Sequence, residues 1–272
     1  MRALSLLLAL FVANLLFSAA CLWLLGRSLK LSRLSFVRFL GAWLALFLGG
    51  VIAPAVVSTV LVSAIIRPYC CEAFRIRANS MAPTLVDEHR VAVCPRCGGQ
   101  LILPLPPPGV RHPAPEEGIC CACLRTSTVD ASDGPIAPAD RVILDKQYEP
   151  ARWDLVIFNV SDEFTDGHVK FAKRVVGMPG EKVFIEDGRI HVNGKPIDLP
   201  AALHGLQYVA FPDAEFGSRE TPWRLGTGEY CLLGDFSNRA KDSRFLGPVS
   251  RDDILGVITA RYWPPARWKV FK

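Results

Sequence analysis

Two groups of residues in this chain could do chemistry. The first centres on a serine in the stretch Arg77-Ala78-Asn79-Ser80-Met81-Ala82-Pro83-Thr84-Leu85. Pro83 fixes its own φ and steers Ala82 away from the helical region, so Ser80 is expected on a stiff extended segment or turn. A hydroxyl held still is what acyl transfer needs, yet serine is a weak nucleophile until a base takes its proton. His89, His112, His168, His191 and His204 are scattered and follow no Ser-His-Asp order. A lysine base is the other form of the same logic. Its ordinary pKa of ~10.4 would have to fall to roughly 7–8, which needs apolar burial at a cost of about 3–5 kcal/mol.

The second group is four cysteines in two knuckles, Cys94-Pro-Arg-Cys97 and Cys120-Cys-Ala-Cys123. Two such pairs can give four thiolates to a tetrahedral zinc, and the pattern resembles a zinc ribbon. Disulfides are the competing reading, because the outward side of a membrane is oxidising. Glycines after the first knuckle favour the metal. The connection Leu103-Pro-Leu-Pro-Pro-Pro-Gly109 suits short strands rather than a helix. So proline-rich a segment is expected to bury little apolar surface. The module would then lean on metal or disulfides, and removing residues 91–130 would leave the rest of the chain folded.

These groups must be positioned by a chain of 272 residues, half of them apolar, with a net charge of +5. The apolar excess lies at the start. Ala3 to Gly26 and Phe39 to Ile66 carry no charged residue, and each exceeds the ~20 residues a membrane helix needs. Arg27, Lys30, Arg33 and Arg38 lie between them without an acid. The positive-inside rule puts that loop in the cytoplasm and everything after Ile66 outside, with Ser80 shortly beyond the bilayer. No basic stripe interleaved with aromatics is present, so no nucleic-acid partner is expected. From Asp140 onward the pattern turns to short β runs: Arg141–Leu144, Asp154–Val160, Lys173–Val176, Lys182–Ile185, Arg189–Val192, Tyr230–Leu233 and Ile254–Trp263. Asp187-Gly188 and Asn193-Gly194 read as hairpin turns. Residues 200–228 read as loop.

Four boxes in order resemble the type I signal peptidases. Ser80-Met81-Ala-Pro83-Thr84-Leu85 resembles the nucleophile box. Arg152-Trp-Asp-Leu-Val-Ile-Phe158 resembles the second box. Lys173-Arg174-Val-Val-Gly-Met-Pro-Gly180 resembles the box of the catalytic lysine, and Gly234-Asp235 with Asp242-Ser243-Arg244 resembles the last. The resemblance covers roughly residues 40–90 and 136–265. It implies Ser80 as nucleophile and Lys173 as base, rather than Lys170 three residues earlier. Met81, Pro83, Arg174, Asp235, Asp242, Ser243 and Arg244 would support them, with Asp242 and Arg244 paired. Catalysis would need no cofactor; Cys94, Cys97, Cys120 and Cys123 would hold a structural zinc.

The expected architecture is two N-terminal transmembrane helices (1–66) and an all-β catalytic domain (67–90 and 136–272) carrying a small zinc-ribbon-like insert (91–135). The implied function is a multi-pass inner-membrane serine endopeptidase, its catalytic domain on the periplasmic side. It would meet preproteins at the bilayer and remove their signal peptides. Two positions depart from the family pattern. Ala78 stands where a hydroxyl often helps bind the oxyanion, with Asn79 a possible substitute. Ala240 stands where a serine often orients the lysine, with Ser237 nearby. These departures sustain an alternative reading, a catalytically weak membrane-tethered homologue that binds through its ribbon.

Overall fold

The computed structural model describes residues 56–106, 115–130, 134–162 and 167–272. The two spans and the Arg27–Arg38 loop expected over 1–66 fall almost wholly outside the described residues. Among the described residues, no helix is long and apolar enough to cross a membrane. The chain divides into two compact units, Met1–Tyr69 and Cys70–Lys272. In the first, residues 56–69 are helical, with a π-helical stretch at Val62–Ile66 and a last turn at Arg67–Tyr69.

The second unit is built from strands. In chain order these are β1 (Cys71–Arg75), β2 (His89–Val93), β3 (Gln100–Pro104), β4 (Glu116–Cys120), β5 (Thr126–Val129), β6 (Ile136–Ala137), β7 (Arg141–Asp145), β8 (Leu155–Asp162) and β9 (Gly167–Gly177). They continue as β10 (Lys182–Glu186), β11 (Arg189–Val192), β12 (Lys195–Pro196), β13 (Trp223–Arg224), β14 (Glu229–Leu233), β15 (Val249–Ser250), β16 (Ile254–Trp263) and β17 (Lys269–Val270). The largest sheet runs β1-β7-β16-β8-β9-β14-β15, with β17 on β16. A second sheet runs β12-β11-β10-β13 and a third β5-β4-β3-β2-β6.

Each of the strand runs expected after Asp140 lies within one of these strands or overlaps it, because β-branched and aromatic residues pack well on a pleated surface. Two-residue turns close β10–β11 and β11–β12, where Glu186 faces Arg189 and Val192 faces Lys195. Asp187, Gly188, Asn193 and Gly194 all have positive φ there, between +51° and +83°, as such hairpins require. Residues 200–228 are more ordered than their pattern indicates. They hold a 3-10 turn at Ala201–Leu203 and the short β13. Buried Tyr208 and Trp223 anchor the segment, and the Trp223 indole N–H donates to the Ser243 carbonyl at 2.9 Å. Isolated aromatic anchors leave no periodic signal, which is why the sequence reads as loop.

The cysteine-bearing sheet spans His89–Ala137 and corrects one expectation. Its proline-rich connection does not leave it without a core: Leu101, Ile102, Leu103 and Ile119 are at most 2% exposed. Leu101 and Leu103 pack with Cys94 and Cys120. Ile102 and Ile119 point the other way and pack with Ala82, Val86, Leu203, Leu206 and Phe236. The module therefore shares a core with the segment that carries Ser80, and removing it would expose that core. Ile119→Ala should lower the unfolding free energy by about 2–4 kcal/mol, the usual cost of such a cavity. A denaturant midpoint unchanged from wild type would show that the module is a loose appendage.

Candidate active site

Ser80 begins a run of tight turns. Ala82 N–H donates to the Asn79 carbonyl at 3.0 Å and Leu85 N–H to the Met81 carbonyl at 2.9 Å. The Ala82–Pro83 peptide is cis. Met81 and Leu85 are the apolar pegs of this loop, 1% and 0% exposed, inserted among Val142, Leu144, Leu155, Ile157 and Ile258. Driving two large side chains into the core leaves the polar Ser80 half-exposed above them.

Lys173 is 3% exposed and reaches this serine: its Nζ donates to Ser80 Oγ at 2.5 Å. Among the described residues that hydroxyl is the one hydrogen-bond partner of the ammonium, which also lies 5.3 Å from the Phe171 ring. Burial among apolar groups pulls the Lys173 pKa down to about 8. The nearby Asp242 and Asp235 oppose that shift, but each is tied to an arginine.

Asp235 is 1% exposed and accepts from Arg174 Nε at 2.7 Å and Nη2 at 2.5 Å. The Thr84 hydroxyl donates to the same carboxylate at 2.5 Å, and the Tyr208 hydroxyl donates at 3.4 Å. Neighbouring residues of a strand face opposite sides. Lys173 can therefore meet Ser80 while Arg174 binds the other end of the same loop through Asp235 and Thr84. Asp242 and Arg244 are fully buried and paired: Asp242 accepts from Arg244 Nε at 2.8 Å and Nη2 at 2.7 Å. Asp242 also accepts from Gly234 N–H at 2.9 Å. The Ser243 hydroxyl accepts from Leu232 N–H at 3.0 Å. Ser243 and Arg244 belong to a short helical turn whose N-cap is Asp242.

The structure thus gathers Ser80, Met81, Pro83, Lys173, Arg174, Asp235, Asp242, Ser243 and Arg244 around one loop. Two substitutes considered for missing hydroxyls are committed elsewhere. The Asn79 carboxamide accepts from Asp87 N–H at 2.9 Å and donates to the Glu88 carbonyl at 3.5 Å. Ser237 Oγ accepts from Val209 N–H at 2.8 Å and from Arg244 Nη1 at 2.9 Å. Neither hydrogen-bonds to Lys173. The Ser80 N–H has no acceptor among the described residues.

A second ionic cluster escaped the sequence reading. Arg261 donates to the Thr84 carbonyl at 2.6 Å and Arg267 to the Pro83 carbonyl at 3.1 Å. Both arginines pair with Asp140, at 3.3 and 3.0 Å, which also accepts from Val86 N–H. Asp140, Arg261 and Arg267 sit in no motif and far apart in sequence, so only the fold joins them.

The four cysteines also converge. Their Sγ atoms all lie within 4.8 Å of one another. Cys97–Cys120 is 3.5 Å and Cys94–Cys123 is 4.0 Å. A tetrahedral zinc with Zn–S of ~2.3 Å spaces its thiolates by roughly 3.8 Å, whereas a disulfide needs ~2.05 Å. Gly99 has no room for a side chain: a Cβ there would sit 2.8 Å from Ala122 Cβ and 3.3 Å from the sulfurs of Cys97 and Cys120. The cluster could hold a metal ion, and Cys121 points away from it, packing with the cluster that contains Ile119.

Gly234 packs tightly against the Ser80 backbone. A Cβ at this position would lie 2.6 Å from the Ser80 carbonyl oxygen and 2.4 Å from Ala240 Cβ. The same carbonyl accepts from Phe236 N–H at 3.1 Å. Gly234→Ala should therefore displace Ser80 and, with even ~1 Å of misplacement, cut kcat by about 100-fold while the domain stays folded. A variant of wild-type activity would show that the Ser80 loop is not held here.

Comparison with known proteins places the chain in a family. Residues 50–263 match the family described as signal peptidase, peptidase S26. A probable signal peptidase I-2 of Synechocystis is 36% identical over 135 residues, 47% of this chain and 57% of that protein. A signal peptidase I of Leptolyngbya laminosa is 32% identical over 137 residues, 47% of this chain and 62% of its own. A signal peptidase IB of Staphylococcus aureus is 33% identical over 111 residues, 36% of this chain and 56% of its own. The chain thus spans little more than half the length of these curated relatives. A crystal structure of a signal peptidase I from Enterococcus faecalis V583 is 25% identical, with a TM-score of 0.30 over 41% of this chain and 98% of its own. The unit that carries Ser80 and Lys173 is an all-β, signal-peptidase-like domain with a cysteine cluster, and with a family match across most of its length the chain belongs to the peptidase S26 family of signal peptidases.

Proposed function

We propose that this protein is a membrane-bound serine endopeptidase that removes signal peptides from exported preproteins, with Ser80 as nucleophile and Lys173 as general base. The observation that carries the reading is a buried lysine of depressed pKa in hydrogen-bond contact with a half-exposed serine. With a pKa of about 8, roughly a tenth of the Lys173 side chains are neutral at pH 7 and half at pH 8. Neutral Nζ takes the Ser80 proton as Oγ bonds to the scissile carbonyl carbon. The ammonium then gives that proton to the departing amine as the peptide C–N bond breaks. Water, deprotonated by the same lysine, hydrolyses the acyl-enzyme and restores Ser80. The Ser80 N–H is available to the oxyanion. Ala78 offers no second donor, and a missing donor costs about 100-fold in rate. The enzyme is accordingly expected to be slow.

The substrate would be a preprotein held by its signal sequence in the bilayer. It would add as an extended strand beside Ser80, with the catalytic domain on the outer side of the inner membrane. Cleavage of a purified preprotein by the full chain in detergent should be lost in Ser80→Ala. In the wild type, kcat/KM should rise with pH through about 8. Binding without cleavage by the wild type would support the binding-module reading instead.

Lys173→Met separates catalysis from stability. Burial places the folded-state pKa below the unfolded value, so between about 8 and 10.5 the unfolded chain binds more protons and stability rises with pH. Below that window the wild type carries a desolvation cost of ~3 kcal/mol that methionine avoids. The variant should be inactive yet more stable at pH 7, with the gain shrinking as pH rises through the window. An inactive variant without that gain would mean that Lys173 is not held against its charge.

Cys94, Cys97, Cys120 and Cys123 are proposed to hold one structural zinc as thiolates. The metal would hold the two knuckles together and, through Ile102 and Ile119, stiffen the packing behind Ala82. Metal analysis should find about one zinc per chain, lost in the Cys94→Ser, Cys97→Ser double variant, whose cleavage rate should also fall. A metal-free protein with these four thiols oxidised would replace the zinc with disulfides.

A further inference from the structure

The cleft that opens beside Ser80 has a volume of about 640 Å³. Its floor is apolar, formed by side chains such as Phe74, Ile76 and Ile157. Its other lining is cationic: Arg75, Arg77, Lys170, Lys173, Arg239 and Lys241 all border it, and no aspartate or glutamate does. Except for Lys173, all of these cations are exposed.

Among the described residues, most of this charge has no carboxylate partner. Arg75 lies 3.9 Å from Asp87 and 3.6 Å from Glu88. Among the described residues, Arg77, Lys170, Arg239 and Lys241 have no carboxylate partner. Lys170 rests 5.1 Å from the Phe74 ring, and Arg239 donates to the Glu117 carbonyl at 3.4 Å. The two acids that act on Lys173, Asp235 and Asp242, are buried and already bound to Arg174 and Arg244. They cannot neutralise the mouth of the cleft. Glu117 belongs to β4 of the cysteine module and also accepts from Asn238 Nδ2 at 2.6 Å. The module thereby holds one of the cations at the cleft wall.

A concave surface lined by one sign of charge, with low-dielectric walls, concentrates ligands of the opposite sign. A lysine or arginine in the bound peptide would be repelled by this rim. An aspartate or glutamate would meet several exposed cationic donors that have no carboxylate partner among the described residues. We infer that this cleft selects substrates that carry an acidic side chain close to the scissile bond. Arg77, Lys170, Arg239 and Lys241 would set that preference. The inference rests on the proposed peptidase reading and names its substrate class. A cationic rim could instead face anionic lipid headgroups. Its position around the reacting serine, over an apolar floor, favours the peptide.

The test uses the full chain in neutral detergent and a peptide series with one signal-peptide cleavage site. A glutamate, glutamine or lysine is moved one residue at a time from three positions before the cut to three after it. At one or more positions glutamate should raise kcat/KM about two- to fivefold over glutamine, the range of partly exposed ion pairs. Lysine should lower it, and both effects should shrink towards 1 M salt. Ser80→Ala should bind the favoured glutamate peptide more tightly than its glutamine counterpart by a similar factor, measured by fluorescence anisotropy. Arg239→Gln with Lys241→Gln should reduce the glutamate-to-glutamine ratio. Cleavage indifferent to charge at every position would overturn the inference and leave the peptidase reading standing. Absence of cleavage of every peptide would overturn that reading, while the anisotropy ratio would still report the charge preference. No charge effect on peptides, together with tighter binding of the protein to anionic than to neutral vesicles that the double variant abolishes, would assign the rim to lipid and also overturn it.

Discussion

A lysine ammonium buried beside a serine hydroxyl is the constraint to which most of this domain answers. Leaving Lys173 charged in an apolar site is unfavourable, and the arrangement lasts only because everything around it is otherwise satisfied. Carboxylates next to a buried lysine favour its charged form. Asp235 and Asp242 are both close enough to act in that direction. Arg174 and Arg244 tie them up with two-pronged contacts of 2.5 to 2.8 Å. Such buried pairs add little net stability in themselves, because desolvation offsets attraction. Their effect here is to fix backbone positions while Arg244 offsets part of the carboxylate field at Lys173.

The Ser80 loop is held from three directions, and each uses a different interaction. From below, Met81 and Leu85 are packed in the core. From one side, Asp235 binds Thr84, and Phe236 N–H binds the Ser80 carbonyl. From the other, Arg261 and Arg267 bind the carbonyls of Thr84 and Pro83, with Asp140 between them. A serine at a turn would ordinarily sample several positions, and catalysis tolerates little of that. Replacing flexible contact with water by fixed hydrogen bonds on both flanks removes the freedom.

The cysteine module belongs to this support rather than standing apart from it. Its apolar residues divide between two faces. Leu101 and Leu103 close over the thiol cluster, while Ile102 and Ile119 fill the space behind Ala82 and Phe236. Alternation along a strand makes that division unavoidable, since successive side chains point to opposite faces. Whatever tightens the knuckles therefore also tightens the packing behind the Ser80 loop, and the Glu117 contacts extend the effect to Asn238 and Arg239.

Much of this could be read before any fold was known, for local reasons. Ser80, Lys173 and the Asp242-Ser243-Arg244 run lie in compact motifs. The strands after Asp140 announce themselves by β-branched residues, and the hairpins by Asp-Gly and Asn-Gly, which tolerate positive φ. The paired knuckles are legible because thiol ligands come at short fixed spacings. What no local pattern encodes is which distant groups meet. Asp140 with Arg261 and Arg267, Tyr208 with Asp235, and the insert's isoleucines with Ala82 are joined across 27 to 127 residues or between separate sheets. The commitment of Asn79 and Ser237 to other partners is equally a matter of three-dimensional arrangement. So is the gathering of arginines and lysines from three segments around one cleft. Charge and hydrogen-bonding capacity are properties of a residue, but satisfaction and compensation are properties of its surroundings, and only the folded chain supplies those.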